Sequence, residues 1–470
     1  MKLAIQHGNP LRLPEGFNTL SGMLLHIAER YPGHGLLFPD ASGTDDFVSY
    51  PDLVVLARKY LDGLKRHGIR KGDRVIVEIE NPKIFYRVFW ACMFGGVIAA
   101  PVSRPLAWEP GSPGLAKFAK IWEVMDRPVV IIEETQRYRY ESLRSDPSFA
   151  GLTLLSTDEL ESDNQAEIVP TDPDDLVFLQ FSSGSTGIPK GVKLTNRNIL
   201  ANNMASVRAL HASDEDIVFT WLPHTHDMGL FGQHLTPIAS GSRIVVFTPY
   251  MFIRSPYFFL KKLSDLKGTW FCSPNFGYDW MVRKVSDDLL PTLDLSSLRF
   301  SLNGAEPIST AVMNRFIEKF SVCGYRKEMM FPAYGMAEAT VAVTLSGIGK
   351  QPVIDRISRT RMSRDRTAVI VSPDDSDGVT FTRVGTPVEG MSVRIADEHG
   401  NTLREAEIGE IQIQGDSVTS GYYNQEQQTA ELFQEGWLRT GDLGYIKDGE
   451  LVITGRMKDL IIVRGQNYFA

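Results

Sequence analysis

Cysteine is scarce in this chain, with three in 470 residues. Cys92, Cys272 and Cys323 lie far apart, each inside an apolar run (ACMFGG, TWFCSP, FSVCGY), so neither a disulfide framework nor a zinc knuckle is written here. Buried free thiols are expected. Long apolar runs are missing too: nothing approaches ~20 uninterrupted apolar residues, and the opening MKLAIQHGNPLRLPEG holds no stretch of signal-peptide type. That argues against stable membrane insertion and makes a cytoplasmic location the expectation. Positive charge is not in excess, because 49 Lys and Arg face 57 Asp and Glu for a formal charge of -8, the wrong sign for a nucleic-acid or anionic-lipid partner. Internal repeats are absent.

What is present is core-forming material, 43% of the residues, in a chain longer than one hydrophobic core usually serves. Two or three subdomains follow. Amphipathic TLSGMLLHIAERY and PDLVVLARKYLDGLKRHG precede the strand-like DRVIVEIE, and helical stretches at 84–95 and 116–125 alternate with VIAAPVS and PVVIIEE. This rhythm predicts an α/β fold built from parallel βαβ units. The strand DLVFLQF is expected to open a second such run, through IVFTWLP, SRIVVFT, GTWFCSP, LRFSLNG and EMMFPAYG. From about Ser346 short strands and Gly turns (VGTPVEGMSVRI, EIGEIQIQG, LVITGR) predict a small β-barrel-like subdomain. The predicted divisions are therefore 1–173 and 174–346, two layered α/β subdomains, then 347–455, a β-rich one with the polar segment 347–380 inserted. That segment gathers Arg356, Arg359, Arg361, Arg364 and Arg366, which reads as a solvated loop or as a functional patch.

The densest chemical signal is Ser182-Ser183-Gly184-Ser185-Thr186-Gly187-Ile188-Pro189-Lys190-Gly191, placed after a strand and before the helical NRNILANNMASVRAL. Backbone N-H groups and hydroxyls in such a loop suit an anion beside a helix start, and phosphate is the natural guest. Lys190 is followed by Gly191 rather than Ser or Thr, so this is not the loop of a P-loop kinase or GTPase. Ser182, Ser183, Gly184, Ser185, Thr186, Gly187 and Lys190 are the candidate phosphate-binding residues.

SSGSTGIPKGV resembles the signature loop of the adenylate-forming superfamily of acyl-CoA synthetases, luciferases and peptide-synthetase adenylation domains. WLPHTHDMGL and NGAEP are similar more particularly to fatty acyl-AMP ligases, and YGMAEAT, RTGDLG and GRMKDLIIVRG complete the set in order. The resemblance implies ATP-dependent activation of a fatty acid to an acyl-adenylate, release of pyrophosphate, and transfer to the phosphopantetheine of an acyl carrier protein. Its alternatives are an acyl-CoA ligase or a non-catalytic nucleotide-binding module. Oligomeric state is not legible.

Negative charge gathers on phosphate in that reaction and must be met. The resemblance makes Glu338 the Mg2+ ligand, a hard oxygen suited to an ion gripping phosphates, with helix-surface glutamate as the bland alternative. Tyr334 offers a face for adenine, opposite the small Gly304 and Ala305, and the adenine and ribose site extends over Asn303, Glu306, Ala333, Gly335 and Met336. Asp442 is expected to accept from ribose hydroxyls unless it merely forms a turn, and the resemblance implies that Arg456 meets ribose and phosphate. Lys458 is the expected hinge, or else an exposed lysine. His224, His226 and His234 raise a metal reading through H-x-H, but His226 is expected beside the substrate carboxylate as a catalytic residue with Glu338 and Lys190. Met228, Phe231, Phe276 and Tyr278 are candidates for the acyl pocket, with ordinary core packing as the competing account.

The segment 347–380 is similar in location to a family insertion associated with poor use of coenzyme A. Past Arg456 the family continues for roughly another hundred residues into a mobile C-terminal lid, a domain-sized unit carrying a second catalytic lysine. Residues 456–470 are read as the hinge and the start of that lid, which is otherwise absent from this chain, so ATP and acyl-adenylate binding with weak turnover is the expectation.

Overall fold

In the computed structural model the runs Val75-Ile76-Val77 and Val130-Ile131-Ile132 are buried on both faces, as strands covered by helices on either side must be. Described are residues 2–40, 43–109, 111–182 and 189–459, with the backbone alone of 461–463 and 466–468. The side chain of Ser182 is likewise outside the described set.

The first six-stranded sheet runs in the order Leu154–Ser156, Val129–Ile132, Arg74–Glu78, Ile98–Pro101, Leu176–Ser182, Lys190–Thr195. All neighbours are parallel except the last pair. Leu176–Ser182 therefore completes the first sheet, through Ala99 against Phe178, instead of opening the second. Conversely Gly35–Phe38, early in the chain, joins the second sheet through Leu36 against Ile244. Strand pairing follows the buried faces and not nearness in sequence, which is why the alternation alone misplaced the first of these strands and did not register the second.

The second sheet has nine strands, with Met330–Gly335, Phe300–Asn303, Trp270–Ser273, Ile217–Thr220, Arg243–Val246 and Gly35–Phe38 forming its parallel centre. Three of them, at Cys272, Leu302 and Tyr334 near their carboxyl ends, border the candidate-site cavity. A third, antiparallel sheet of six strands is ordered Ile5–His7, Met391–Ala396, Gly409–Gly415, Trp437–Lys447, Phe433–Gln434, with Glu450–Arg456 also pairing to Trp437–Lys447.

The polar segment is folded. Ile354–Ser358 and Gly378–Thr382 pair as a hairpin, Arg359–Asp365 is helical, and Ile357, Met362 and Ala368 pack on Ile408, Tyr445 and Val452 of the third sheet and its approach. Three of its five arginines are occupied locally, Arg356 by the carbonyls of Ser372 and Asp375, and Arg361 and Arg364 by Asp365.

Candidate active site

The glycine-rich loop does not lead into a helix. Lys190–Thr195 is a strand antiparallel to Leu176–Ser182, with Lys190 opposite Ser182, because Val192 and Leu194 alternate into the core. The helix begins only after Thr195, whose hydroxyl caps Asn198 N-H at 3.2 Å in a reciprocal capping box. The loop is thus a hairpin connection, and the helix-terminus argument for its anion affinity fails; the N-H groups that remain are its own. Ser183, Gly184, Ser185, Thr186 and Gly187 lie outside the described residues, as does the side chain of Ser182.

Lys190 is half-buried, with Nζ 4.8 Å from the centre of the Tyr422 ring. The hydroxyl of that same tyrosine donates to Glu338 Oε1 at 2.8 Å. Glu338 sits in a tight turn, Ala337–Ala339, whose carbonyl at Glu338 accepts from Thr419 N-H at 2.8 Å. Burial raises its carboxyl above the ordinary carboxylate value, against the Tyr422 hydrogen bond and the Lys190 charge, while Asp227 adds to the rise. Tyr422 and Asp227 were not among the sequence candidates. The first sits in an ordinary-looking GYYN, and the second in WLPHTHDMGL beside the histidines, with no spacing of its own to mark it.

Tyr334 and Gly335 end the strand Met330–Gly335, and a Cβ on Gly335 would meet the Val341 carbonyl at 1.9 Å, so only glycine fits that close approach. The Tyr334 hydroxyl donates to Asp442 Oδ2 at 2.5 Å, and Arg456 Nε lies 3.0 Å from Oδ1. Asp442 and Arg456 are register partners across their strands, which is what aims the guanidinium at the carboxylate. Burial pushes the Asp442 carboxyl up, opposed by the Tyr334 hydrogen bond and the charges of Arg456 and Lys458. A carboxylate accepts several hydrogen bonds, so this one keeps capacity for two ribose hydroxyls. Lys458 is exposed in the turn Met457–Asp459 that follows.

Gly304, Ala305, Ala333, Tyr334 and Gly335 line a cavity enclosing about 550 Å³ free of protein atoms, part of it open to solvent. Ala305 holds φ 68 there, presenting backbone to the space. Asn303, at the end of its strand, is fully buried, with neither side-chain amide atom hydrogen-bonded to protein. Glu306 is turned away, its Oε1 accepting from Phe276 N-H at 2.5 Å. Met336 is half-buried beside Tyr334, with Sδ 3.9 Å from the phenol oxygen.

The same cavity continues into an apolar part between the helix Asn196–Ala209 and the π-helical turn Met228–Leu235, where Leu210, Met228, Gly232, Cys272, Val341 and Leu345 line it. Of the proposed acyl-pocket residues only Met228 is here. Phe231 is fully buried edge-on to Phe178, and Tyr278 is core, donating to the Leu302 carbonyl at 2.9 Å; Phe276 is 47% exposed against the edge of Trp221. Core packing explains Phe231 and Tyr278. The other residues that line the space come from separate elements with no shared motif, so sequence alone had no signal for them.

The histidines diverge. His224 Nε2 meets the Ile79 carbonyl at 2.6 Å and stacks 3.8 Å from Phe85, and burial lowers it to about 4. His234 is fully buried, accepting from Trp90 Nε1 at 3.1 Å and lowered by burial to about 3. His226 alone faces solvent, Nδ1 2.7 Å from Asp227 Oδ1, and that carboxylate raises its pKa. Nδ1 therefore carries the proton given to Asp227, and its 3.2 Å approach to Met228 N-H is not a hydrogen bond; Met228 N-H donates to Asp227 Oδ1 at 2.6 Å instead. No group of three or more metal-ligating side chains exists among the described residues.

A family model described as AMP-binding enzyme matches residues 24–423. A medium-chain-fatty-acid acyl-carrier-protein ligase of Moorena producens is 32% identical over 444 residues, 90% of this chain and 73% of that protein. A long-chain-fatty-acid AMP ligase of Mycolicibacterium smegmatis is 32% identical over 429 residues, 85% of this chain and 67% of that one. Among solved structures, a fatty acyl-adenylate ligase from a study of the E. coli and L. pneumophila enzymes superposes with a TM-score of 0.89 at 32% identity, covering 98% of this chain and 83% of its own.

Proposed function

The chain belongs to the AMP-binding enzyme family of adenylate-forming ligases, and from that premise we infer that it activates a fatty acid with ATP for an acyl carrier protein. A carboxylate oxygen of the acid bonds to the α-phosphorus, the bond to the β-phosphate oxygen breaks, and pyrophosphate departs with that electron pair. In the second step a phosphopantetheine sulfur bonds to the acyl carbon and gives up its proton, the bond from that carbon to the phosphate oxygen breaks, and AMP departs with the electron pair. One observation carries this reading: a single cavity joins the slot edged by Gly304, Ala333 and Tyr334 to an apolar end lined by Met228, Leu210 and Leu345, with Asp227 on its wall. Nucleotide and acyl chain meet where the two parts join.

Tyr334 offers its ring to adenine, Asp442 takes the ribose hydroxyls, and Arg456 pairs with ribose and phosphate. Lys190 and the loop before it hold the leaving phosphates. His226, whose cation the Asp227 carboxylate 2.7 Å away supports, positions the acid's carboxylate. The donor set fits magnesium, since Glu338 offers a hard oxygen beside Lys190 and an ion that keeps most of its waters needs few protein ligands. Magnesium bound there supplies neutralisation of phosphate charge.

The carrier-protein acceptor is supported by the named relatives, and by the resemblance in location between segment 347–380, most of it folded onto the third sheet, and the family insertion. Mass spectrometry after a single turnover on a mixture of fatty acids with ATP tests the first step. Acyl-adenylate is expected, followed by thioester on a phosphopantetheinylated carrier protein. Thioester on coenzyme A instead makes the chain an acyl-CoA ligase, and ATP binding without any adenylate makes it a nucleotide-binding module.

A further inference from the structure

The strap 419–425 of the β-rich region stitches the exit of the phosphate loop to the Glu338 turn. Gln425 Nε2 donates to the Pro189 carbonyl at 3.1 Å, Tyr423 N-H to Gly191 at 2.8 Å, and Lys193 N-H to Gly421 at 3.1 Å. Thr419 completes the seam, its N-H on the Glu338 carbonyl at 2.8 Å and its hydroxyl on the Lys193 carbonyl at 2.7 Å. Gly421 holds φ 128, and a Cβ there would meet the Thr429 side chain at 2.2 Å, so the chain turns sharply just before Tyr422. That turn sends one side chain between two charges.

We propose that Tyr422 is a positioning residue for the adenylation site, its hydroxyl aiming the Glu338 carboxylate and its ring face seating the Lys190 ammonium. The proposal rests on the roles given above to Glu338 and Lys190. The two contacts use separate parts of the phenol: a 2.8 Å hydrogen bond from Oη, and a cation 4.8 Å from the ring centre. They are also chemically independent, one a hydrogen bond to a carboxylate and the other a cation over a π face. Both groups act on the phosphates, so one rigid, backbone-anchored ring sets the spacing between a carboxylate and an ammonium that two flexible side chains would otherwise leave to chance. Tyr422 is 4% exposed, with its N-H held at 2.9 Å by Thr429 Oγ1, and is thus preorganised without nucleotide.

Two substitutions separate the halves. Tyr422→Phe keeps the ring and removes the hydroxyl; Tyr422→Leu removes both. Calorimetric ATP titration with and without magnesium, together with the magnesium dependence of adenylate formation, reads each. Tyr422→Phe is expected to bind ATP like wild type without magnesium but to need ~10-fold more magnesium for half-saturation, since Glu338 loses a hydrogen bond to its charged form. Tyr422→Leu is expected to add a ~3-fold or larger loss of ATP affinity even without magnesium, the worth of a cation over an aromatic face. A structural role alone lowers the melting temperature while leaving both dependences as in wild type, and that outcome overturns the proposal. If Tyr422→Leu fails to fold, unchanged magnesium dependence in Tyr422→Phe overturns it alone. Absence of acyl-adenylate from the wild-type chain is a different failure, that of the functional reading itself.

Discussion

Tyr334 and Asp442 are joined by a 2.5 Å hydrogen bond across two sheets, the tyrosine ending a strand of the parallel sheet and the aspartate lying within the antiparallel one. Tyr334 lines the cavity, so this bond holds the Asp442 carboxylate against a residue of the cavity wall. The carboxylate proposed for ribose is therefore already oriented by the residue proposed for adenine.

Asp442→Asn follows from that geometry. The amide no longer balances Arg456 and offers one acceptor in place of two oxygens. We expect KM for ATP to rise ~10- to 100-fold, the range for lost hydrogen bonds to a charged group, with KM for the fatty acid near wild type. Pyrophosphate exchange at varied ATP and acid checks the split.

His226 gives a pH dependence of definite sign. Its folded-state pKa is raised, chiefly by the Asp227 carboxylate, so its positive charge is present at low pH and lost as pH rises through that raised value. Affinity for the fatty carboxylate should fall along the same limb. In Asp227→Asn the charge is lost at lower pH, and the decline in KM-derived affinity moves down with it. An identical acid-binding profile in the two proteins removes His226 from the carboxylate.

Gly232 tests which part of the cavity holds the chain. A Cβ there comes within 3.7 Å of Met228 Cγ and 3.9 Å of Val341 Cγ2, ordinary contact, so Gly232→Ala should fold normally. Gly232→Leu fills the apolar end and should shift preference to shorter acids, by ~4-fold in kcat/KM for each methylene no longer buried. The distribution of acyl-adenylates from a mixed acid pool, read by mass, shows the shift or its absence.

Arg383 and Asp355 anchor the folded segment that ends at Thr382. They are 9% and 4% exposed, paired at 2.9 Å, with Tyr445 Oη on the other Asp355 oxygen at 3.0 Å. Arg383→Ala leaves a buried carboxylate without its cation and should destabilise by ~3–5 kcal/mol, while Arg383→Met with Asp355→Leu recovers most of that loss. Urea denaturation gives the magnitude, and faster proteolysis within 359–377 reports local release.

By itself the sequence determined the α/β class and the β-rich character after residue 346, and it supplied the candidate polar groups, because those lie in short contiguous motifs whose spacing carries their chemistry. Tyr334, Asp442 and Arg456, distant along the chain, are candidates of that kind that the structure brings into contact. Tertiary structure alone decided that Leu176–Ser182 closes the first sheet, that a strand and not a helix follows the phosphate loop, and that Phe231 and Tyr278 are core while Gly232 and Leu210 border the cavity. Apolar side chains look alike in sequence whether they fill a core or line a hole, since the hydrophobic effect has no direction and only packing distinguishes the two. Tyr422 belongs with them: its partners Lys190 and Glu338 are distant along the chain, and only the strap brings the ring between them.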